Sequence, residues 1–115
     1  SMFKDMLGKT GAEDEEAYIE VLKEHFAPQE DFKARYQFWL EGRKTPLFVE
    51  VNHGKLDIHY GQEENIDVYA KLTPDVMDSI VEGRMTFQRA FMTGEMTAKG
   101  NFKILRMLDT MFNFA

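Results

Sequence analysis

The sequence predicts an α+β fold in which a mostly antiparallel sheet carries helices on one face. Two observations point to it. Hydrophobicity alternates with period two over four consecutive segments between residues 32 and 72, and again near 96–99. Before and after those segments the apolar residues recur at helical spacing. The length, 115 residues, fits one domain with a single core.

Residues 2–8 form a short apolar segment that ends at Gly8. A helix is expected over residues 14–26, with Asp14 as its cap and Glu15 and Glu16 in the first turn, where the helix dipole favours acids. Ala17, Tyr18, Val21, Leu22 and Phe26 give it one apolar stripe, and Pro28 stops it. Phe32, Ala34, Tyr36, Phe38 and Leu40 alternate with Lys33, Arg35, Gln37 and Trp39 in a half-buried strand. Leu47, Val49 and Val51 mark a second strand. Asn52, His53 and Gly54 form a tight turn in which Gly54 takes a positive φ. Leu56, Ile58 and Tyr60 mark the third strand. Residues 61–65 are a polar connector that reads locally as a hairpin turn. Ile66, Val68, Ala70 and Leu72 mark the fourth. One apolar and one mostly polar face per strand implies a sheet covered on one side only.

Thr73 and Pro74 then open a helix whose stripe is Val76, Met77, Ile80 and Val81, and Gly83 ends it. A shorter helix spans about 86–93, capped by Thr86, with Phe87, Ala90 and Phe91 inward and Gly94 after it. Met96 and Ala98 alternate with Glu95, Thr97 and Lys99 in a short fifth strand broken by Gly100. Asn101 caps a last helix reaching about residue 113. That helix carries Phe102, Ile104, Leu105, Met107, Leu108, Met111, Phe112 and Phe114. These exceed the roughly 100° stripe a surface helix needs. Its spare face requires a cover: a ligand, a partner subunit, or residues 2–8.

Composition excludes several functions. The chain has no cysteine, which removes disulfides, thiolate catalysis and thiolate metal sites. The longest apolar run is three residues, too short for a transmembrane helix, and no secretory signal is recognisable. Ser1 before Met2 reads as an expression scar. A cytoplasmic location is therefore expected. The net charge of −6 argues against nucleic acid as a partner. The distribution is uneven: residues 1–83 carry net −9, whereas Arg84, Arg89, Lys99, Lys103 and Arg106 against Glu95 and Asp109 give residues 84–115 net +3. His25, His53 and His59 lack metal-ligand spacing and read as surface histidines. Ser79 lacks a nucleophile motif, Glu15–Glu16 and Glu63–Glu64 read as solubilising charges, and there is no glycine-rich phosphate loop. No catalytic residue, metal or cofactor is expected. What stands out is 8 Met and 10 Phe, concentrated in the last third. Methionine fills irregular cores and also lines surfaces that adapt to ligands.

The run Gly83-Arg84-Met85-Thr86-Phe87-Gln88-Arg89-Ala90-Phe91-Met92-Thr93-Gly94 leads into Met96-Thr97-Ala98-Lys99-Gly100-Asn101. It resembles the signature of the sterol carrier protein 2 (SCP-2) domain family. Gly83, Ala90, Phe91, Gly94, Lys99 and Gly100 match in order, as do the Thr73-Pro74-Asp75 helix start and the Gly54-Lys55 turn. The likeness covers about residues 14–113. Asn101 replaces the family's usual aspartate, and either residue caps a helix.

The resemblance implies a five-stranded mixed, mostly antiparallel sheet with helices on one face, and a crossover rather than a hairpin at 61–65. It implies a stand-alone bacterial-type member, with residues 1–13 an extension and 14–115 the lipid-binding domain. The C-terminal Asn113-Phe114-Ala115 is not a peroxisomal address. By the same likeness the chain is a non-catalytic carrier that holds a fatty acid, acyl chain or similar ligand in an apolar tunnel between the sheet and the C-terminal helices. The expected lining is Phe87, Phe91, Met92, Met96, Leu105, Leu108, Met111 and Phe112. Lys99, Lys103 and Arg106 would hold an anionic head group or orient the domain on an anionic membrane. A monomer or weak homodimer is expected. The alternative is a protein-interaction or dimerisation module that uses the same apolar C-terminal surface.

Overall fold

A computed structural model describes residues 11–115, with side chains from residue 15 onward. Helix α1 (Gly11–Glu24) leads into β1 (Lys33–Leu40), β2 (Leu47–Asn52), β3 (Lys55–Tyr60) and β4 (Val68–Leu72). Then follow α2 (Pro74–Val81), α3 (Phe87–Thr93), β5 (Met96–Gly100), α4 (Phe102–Arg106) and α5 (Leu108–Met111). The five strands lie in the order β3-β2-β1-β4-β5. All neighbours are antiparallel except β1 and β4, which run parallel with Tyr36 opposite Val68 and Leu40 opposite Leu72. The sheet is therefore mixed, and residues 61–67 form the crossover that parallel pairing requires.

Alternation does the positioning. Ala34, Tyr36, Phe38 and Leu40 of β1 point to one face, with Leu47, Val49 and Val51 of β2 and Val68, Ala70 and Leu72 of β4, and all are buried. Tyr18 and Leu22 of α1, Met77, Ile80 and Val81 of α2, and Phe87 and Ala90 of α3 close over that face. The β2–β3 turn places two successive residues at positive φ, His53 at 49° and Gly54 at 85°, the backbone a two-residue hairpin needs. Thr73 caps α2, its hydroxyl accepting from the Val76 amide, with Pro74 at the first helical position.

Five local expectations are corrected. The first helix starts at Gly11, so Asp14 lies inside it instead of capping it. It also ends at Glu24, and Phe26 instead makes a β-bridge with Phe112. The last helix is not continuous to 113. It breaks at Met107, where the amide of Met107 bonds the Ile104 carbonyl and that of Thr110 bonds the Met107 carbonyl, three residues back. Nor is the second sheet face simply polar and open. The crossover runs across it: the Arg35 guanidinium donates to the Glu64 carbonyl, and the Gln37 amide oxygen accepts from the Glu63 amide. Gln37 and Phe48 on that face are only 4% and 2% exposed. A local hairpin reading of 61–65 fails because the segment crosses from β3 at the sheet edge to β4 beside β1, held on the way by the backbone of Glu63 and Glu64. The expected segment at 2–8 lies outside the described residues.

Candidate functional site

The apolar layer between the sheet and the C-terminal segments is the candidate site. α3 is a short helix that needs help at its start. Thr86 supplies one cap, its hydroxyl accepting from the Arg89 amide. Asp109 of α5 supplies the other: its two carboxylate oxygens accept from the amides of Phe87 and Gln88, each at 2.9 Å. A carboxylate at a helix N-terminus also matches the dipole. α5 is thereby fixed against α3.

α4 is set by Asn101, whose side-chain oxygen accepts from the amides of Lys103 and Ile104. The break that follows is tied to the sheet, because the Tyr36 hydroxyl donates to the Ile104 carbonyl at 2.6 Å. Burial raises the Tyr36 pKa well above the ordinary phenol range, and the Asp67 charge adds to it. Tyr18 is shifted the same way, chiefly by burial and then by its hydrogen bond to Asp78 at 2.6 Å. Both phenols are thus fixed as hydroxyl donors over the physiological range.

The chain itself covers much of the last segment. The Phe26 and Phe112 rings lie 5.6 Å apart, the Ala27 amide donates to the Met111 carbonyl, and His25 Nδ1 lies 3.2 Å from the Asn113 carbonyl. The stretch after α1 thus provides cover that the sequence reading assigned to a ligand, a partner or residues 2–8. A cleft of about 180 Å³ remains beside it, lined by Ile80, Gly83, Met85, Thr86, Asp109, Phe112, Asn113, Phe114 and Ala115. It is smaller than the roughly 300–1,000 Å³ of a typical small-molecule site.

The residues expected to line a tunnel divide. Phe87, Met96, Leu105, Leu108, Met111 and Phe112 are buried together in the core. Phe91 is half-buried against it, with its ring 5.6 Å from that of Phe102. Met92 is 74% exposed and stands apart from this set. It falls on the outward face of α3 because it follows Phe91 by 100°. The expected basic trio divides too. Lys103 and Arg106 share the solvent face of α4. Lys99 alternates with the inward Met96 and Ala98 and sits opposite Tyr69 on the other face of the sheet.

The histidines are at the surface, as the sequence indicated, but His59 is not free. Its ring lies 4.9 Å from that of Phe48, with Nε2 3.1 Å from Glu63 and Nδ1 3.3 Å from Asp57. The hydrogen bond to Glu63 is the main reason its pKa is raised. Arg35 stacks on Phe48 as well and pairs with Glu50. Among the described residues, no cluster of three or more His, Asp or Glu is arranged for a metal, and no helix is long and apolar enough to cross a membrane.

Sequence reasoning missed Asp109, Tyr36 and the exposure of Phe102. For Asp109 a signal existed: it is the single acid in residues 96–115.

The model of the SCP-2 sterol transfer family matches residues 19–113. No curated protein matches the chain. Among solved structures, the inverting sec-alkylsulfatase Pisa1 from Pseudomonas sp. is 18% identical with a TM-score of 0.70. That match covers 90% of this chain but only 16% of the alkylsulfatase. Sterol carrier protein-2 like-3 from Aedes aegypti is 14% identical, with a TM-score of 0.59 and coverage of 83% and 92% of the two chains. The palmitated SCP2-like-2 protein of the same organism is 14% identical, with a TM-score of 0.56 and coverage of 83% and 97%. At such identities the likeness is one of fold.

Proposed function

Because the chain belongs to the SCP-2 sterol transfer family, we propose that it is a non-catalytic cytoplasmic carrier of a fatty acid or similar acyl ligand. The carrier domain would span residues 14–115. The ligand would lie between the sheet and α3–α5, against Phe87, Phe91, Met96, Leu105, Leu108, Met111 and Phe112. The family match over residues 19–113 carries this reading. The palmitated relative with the same fold and the contiguous apolar layer give it support.

The driving force would be burial of the chain, about 0.8 kcal/mol per methylene. These side chains pack against one another, so an acyl chain would enter by parting them. The cleft beside Phe112 and Phe114 is the natural starting point, since apolar wall is already open there. Lys103 and Arg106, together on α4, would receive an anionic head group, while Lys99 alternates onto the other face of the sheet. Methionine suits such a site because its unbranched side chain re-packs at low cost.

Native mass spectrometry beside the denatured mass tests the reading. A discrete excess of one lipid mass, lost on denaturation, is expected, together with saturable uptake of a fluorescent fatty acid by delipidated protein. An apo mass combined with no uptake would overturn it. A concentration-dependent doubling of mass in that case would favour an interaction module.

A further inference from the structure

We infer that the open edge of β5 pairs with β5 of a second copy of this chain, antiparallel about a two-fold axis at Thr97, joining the two sheets into one. β5 stands last in the strand order, with β4 on one side of it. At the end of β1 the Glu41 amide donates to the Leu72 carbonyl, so the backbone of Leu72 faces β1 and that of Lys71 and Tyr69 faces β5. Thr97 and Lys99 bond to those two residues. The amides and carbonyls of Met96, Ala98 and Gly100 therefore point away from the sheet, and no other described segment bonds them. An open row of this kind is a template for another strand. The strongly exposed large apolar side chains among the described residues are Tyr69, Met92 and Phe102, and all three flank β5. Tyr69 lies opposite Lys99 on β4, Met92 is on α3 just before the strand, and Phe102 is on α4 just after it.

Charge selects the occupant and the register. Glu95, Thr97 and Lys99 alternate with the inward Met96 and Ala98, and all three are exposed. A lysine on an edge ordinarily repels a second strand. Here the matching acid is on the same face, but roughly 13 Å of extended chain separates Glu95 from Lys99 within one copy. Among the described residues Lys99 makes no ion pair. One oxygen of Glu95 accepts from the Thr93 hydroxyl at 2.9 Å, which leaves the other for a cation. A two-fold axis at Thr97 sets Lys99 of each copy against Glu95 of the other, so the pair forms twice. An axis at Ala98 would set Lys99 against Thr97, and an axis at Lys99 would set it against itself.

The same register suits the backbone. Thr97 meets its copy as a non-hydrogen-bonded pair, with Cα atoms about 4.5 Å apart, and threonine pairs favourably with threonine across strands. On either side of the axis, Met96 of one copy and Ala98 of the other exchange both backbone hydrogen bonds. Antiparallel pairing brings the end of β5 in one copy to its start in the other, so the exposed Phe102 of one copy approaches the exposed Met92 of the other. A single short strand pair buries less than the roughly 1,200 Å² of a stable interface, so the dimer is weak and forms in concentrated protein. The contact is the backbone edge of the sheet instead of the apolar layer under α3–α5, and it does not depend on a ligand.

The test is sedimentation equilibrium at protein concentrations up to about 1 mM. Wild-type protein is expected to pass from monomer to dimer within that range. Glu95→Lys and Lys99→Glu each set like charges opposite one another twice, and each should weaken the dimer about tenfold. An equimolar mixture of the two variants restores both opposite-charge pairs and should associate as wild type does. The chain has no cysteine, so a single introduced thiol reports its own neighbourhood. Thr97→Cys should give a disulfide-linked dimer on mild oxidation, because its copy lies within bridging distance across the axis. Thr45→Cys, the same change at an exposed position between β1 and β2, should cross-link far more slowly. A monomer at every concentration, a mixture that associates no better than the separate variants, or equal cross-linking at positions 97 and 45 would overturn the inference.

Discussion

The Tyr36 hydroxyl, at the centre of the sheet, donates to the Ile104 carbonyl at the break between α4 and α5. That carbonyl also accepts from the Met107 amide, so the break is held from both sides. Tyr36→Phe leaves the ring in place and removes the buried donor. The expected cost is about 1–2 kcal/mol, the usual range for a lost hydrogen bond with a buried acceptor left behind. Urea unfolding measures it. An unchanged midpoint would mean that Met107 alone holds the turn.

Asp109 is expected to matter more than its half-buried position suggests, because it satisfies two amides of α3 at once. Asp109→Ala should cost about 1–2 kcal/mol, as cap removals do. Asp109→Asn keeps one acceptor oxygen and should cost less. Amide exchange is the sharper readout: Phe87 and Gln88 should lose protection first. An Ala variant as stable as wild type would refute the role, and equal losses in the Ala and Asn variants would show that one acceptor oxygen without the charge does not suffice.

Most of the sheet was legible in the sequence because each strand keeps one face in the core, and alternation records that directly. The crossover that makes β1 and β4 parallel was legible only through the family resemblance, since a polar connector looks alike whether it turns or crosses. Gln37 shows why: in sequence it is a solvent-facing residue, yet Glu63 of the crossover binds and buries it. The long last helix misled for a related reason. Its excess of apolar residues is real, but Phe26 and the break at Met107 let two short segments bury them on different neighbours. Of the candidate site, Phe87 and Phe91 followed from helical spacing and Met96 from strand alternation, while the full set came only with the family resemblance. The outward position of Met92 was not legible, because residues 91 and 92 are both apolar and only the helix phase separates them.

His59 should make stability depend on pH. Glu63, and then Asp57, hold its pKa above the ordinary imidazole value of 6.5 despite some burial. The folded chain therefore binds the proton more tightly than the unfolded chain. The stabilisation is complete below about 6.5 and is lost as pH rises through the raised folded value. Relative to His59→Gln, wild-type melting temperature should gain as pH falls across that window. Glu63→Gln should remove most of the gain, because Glu63 is the larger cause. Parallel pH curves for wild type and His59→Gln would refute the assignment.

Gly83 has little room to change. Its φ is +79°, and a β-carbon there would sit 2.6 Å from the Phe114 carbonyl oxygen. Gly83→Ala thus faces two costs. The left-handed backbone alone is worth about 1–2 kcal/mol, and the collision must push residues 114 and 115 away from α2. Removing those two residues separates the terms. In the chain ending at Asn113, Gly83→Ala should cost only the backbone share, and the difference between the two backgrounds measures the collision. Both Gly83 and Phe114 line the cleft at the end of α2, so the displaced tail has a functional consequence under the carrier reading. Gly83→Ala in the full chain should speed fatty-acid uptake relative to wild type while lowering stability. Slower uptake with the same stability loss would mean that the C-terminal residues shape the site and do not obstruct it.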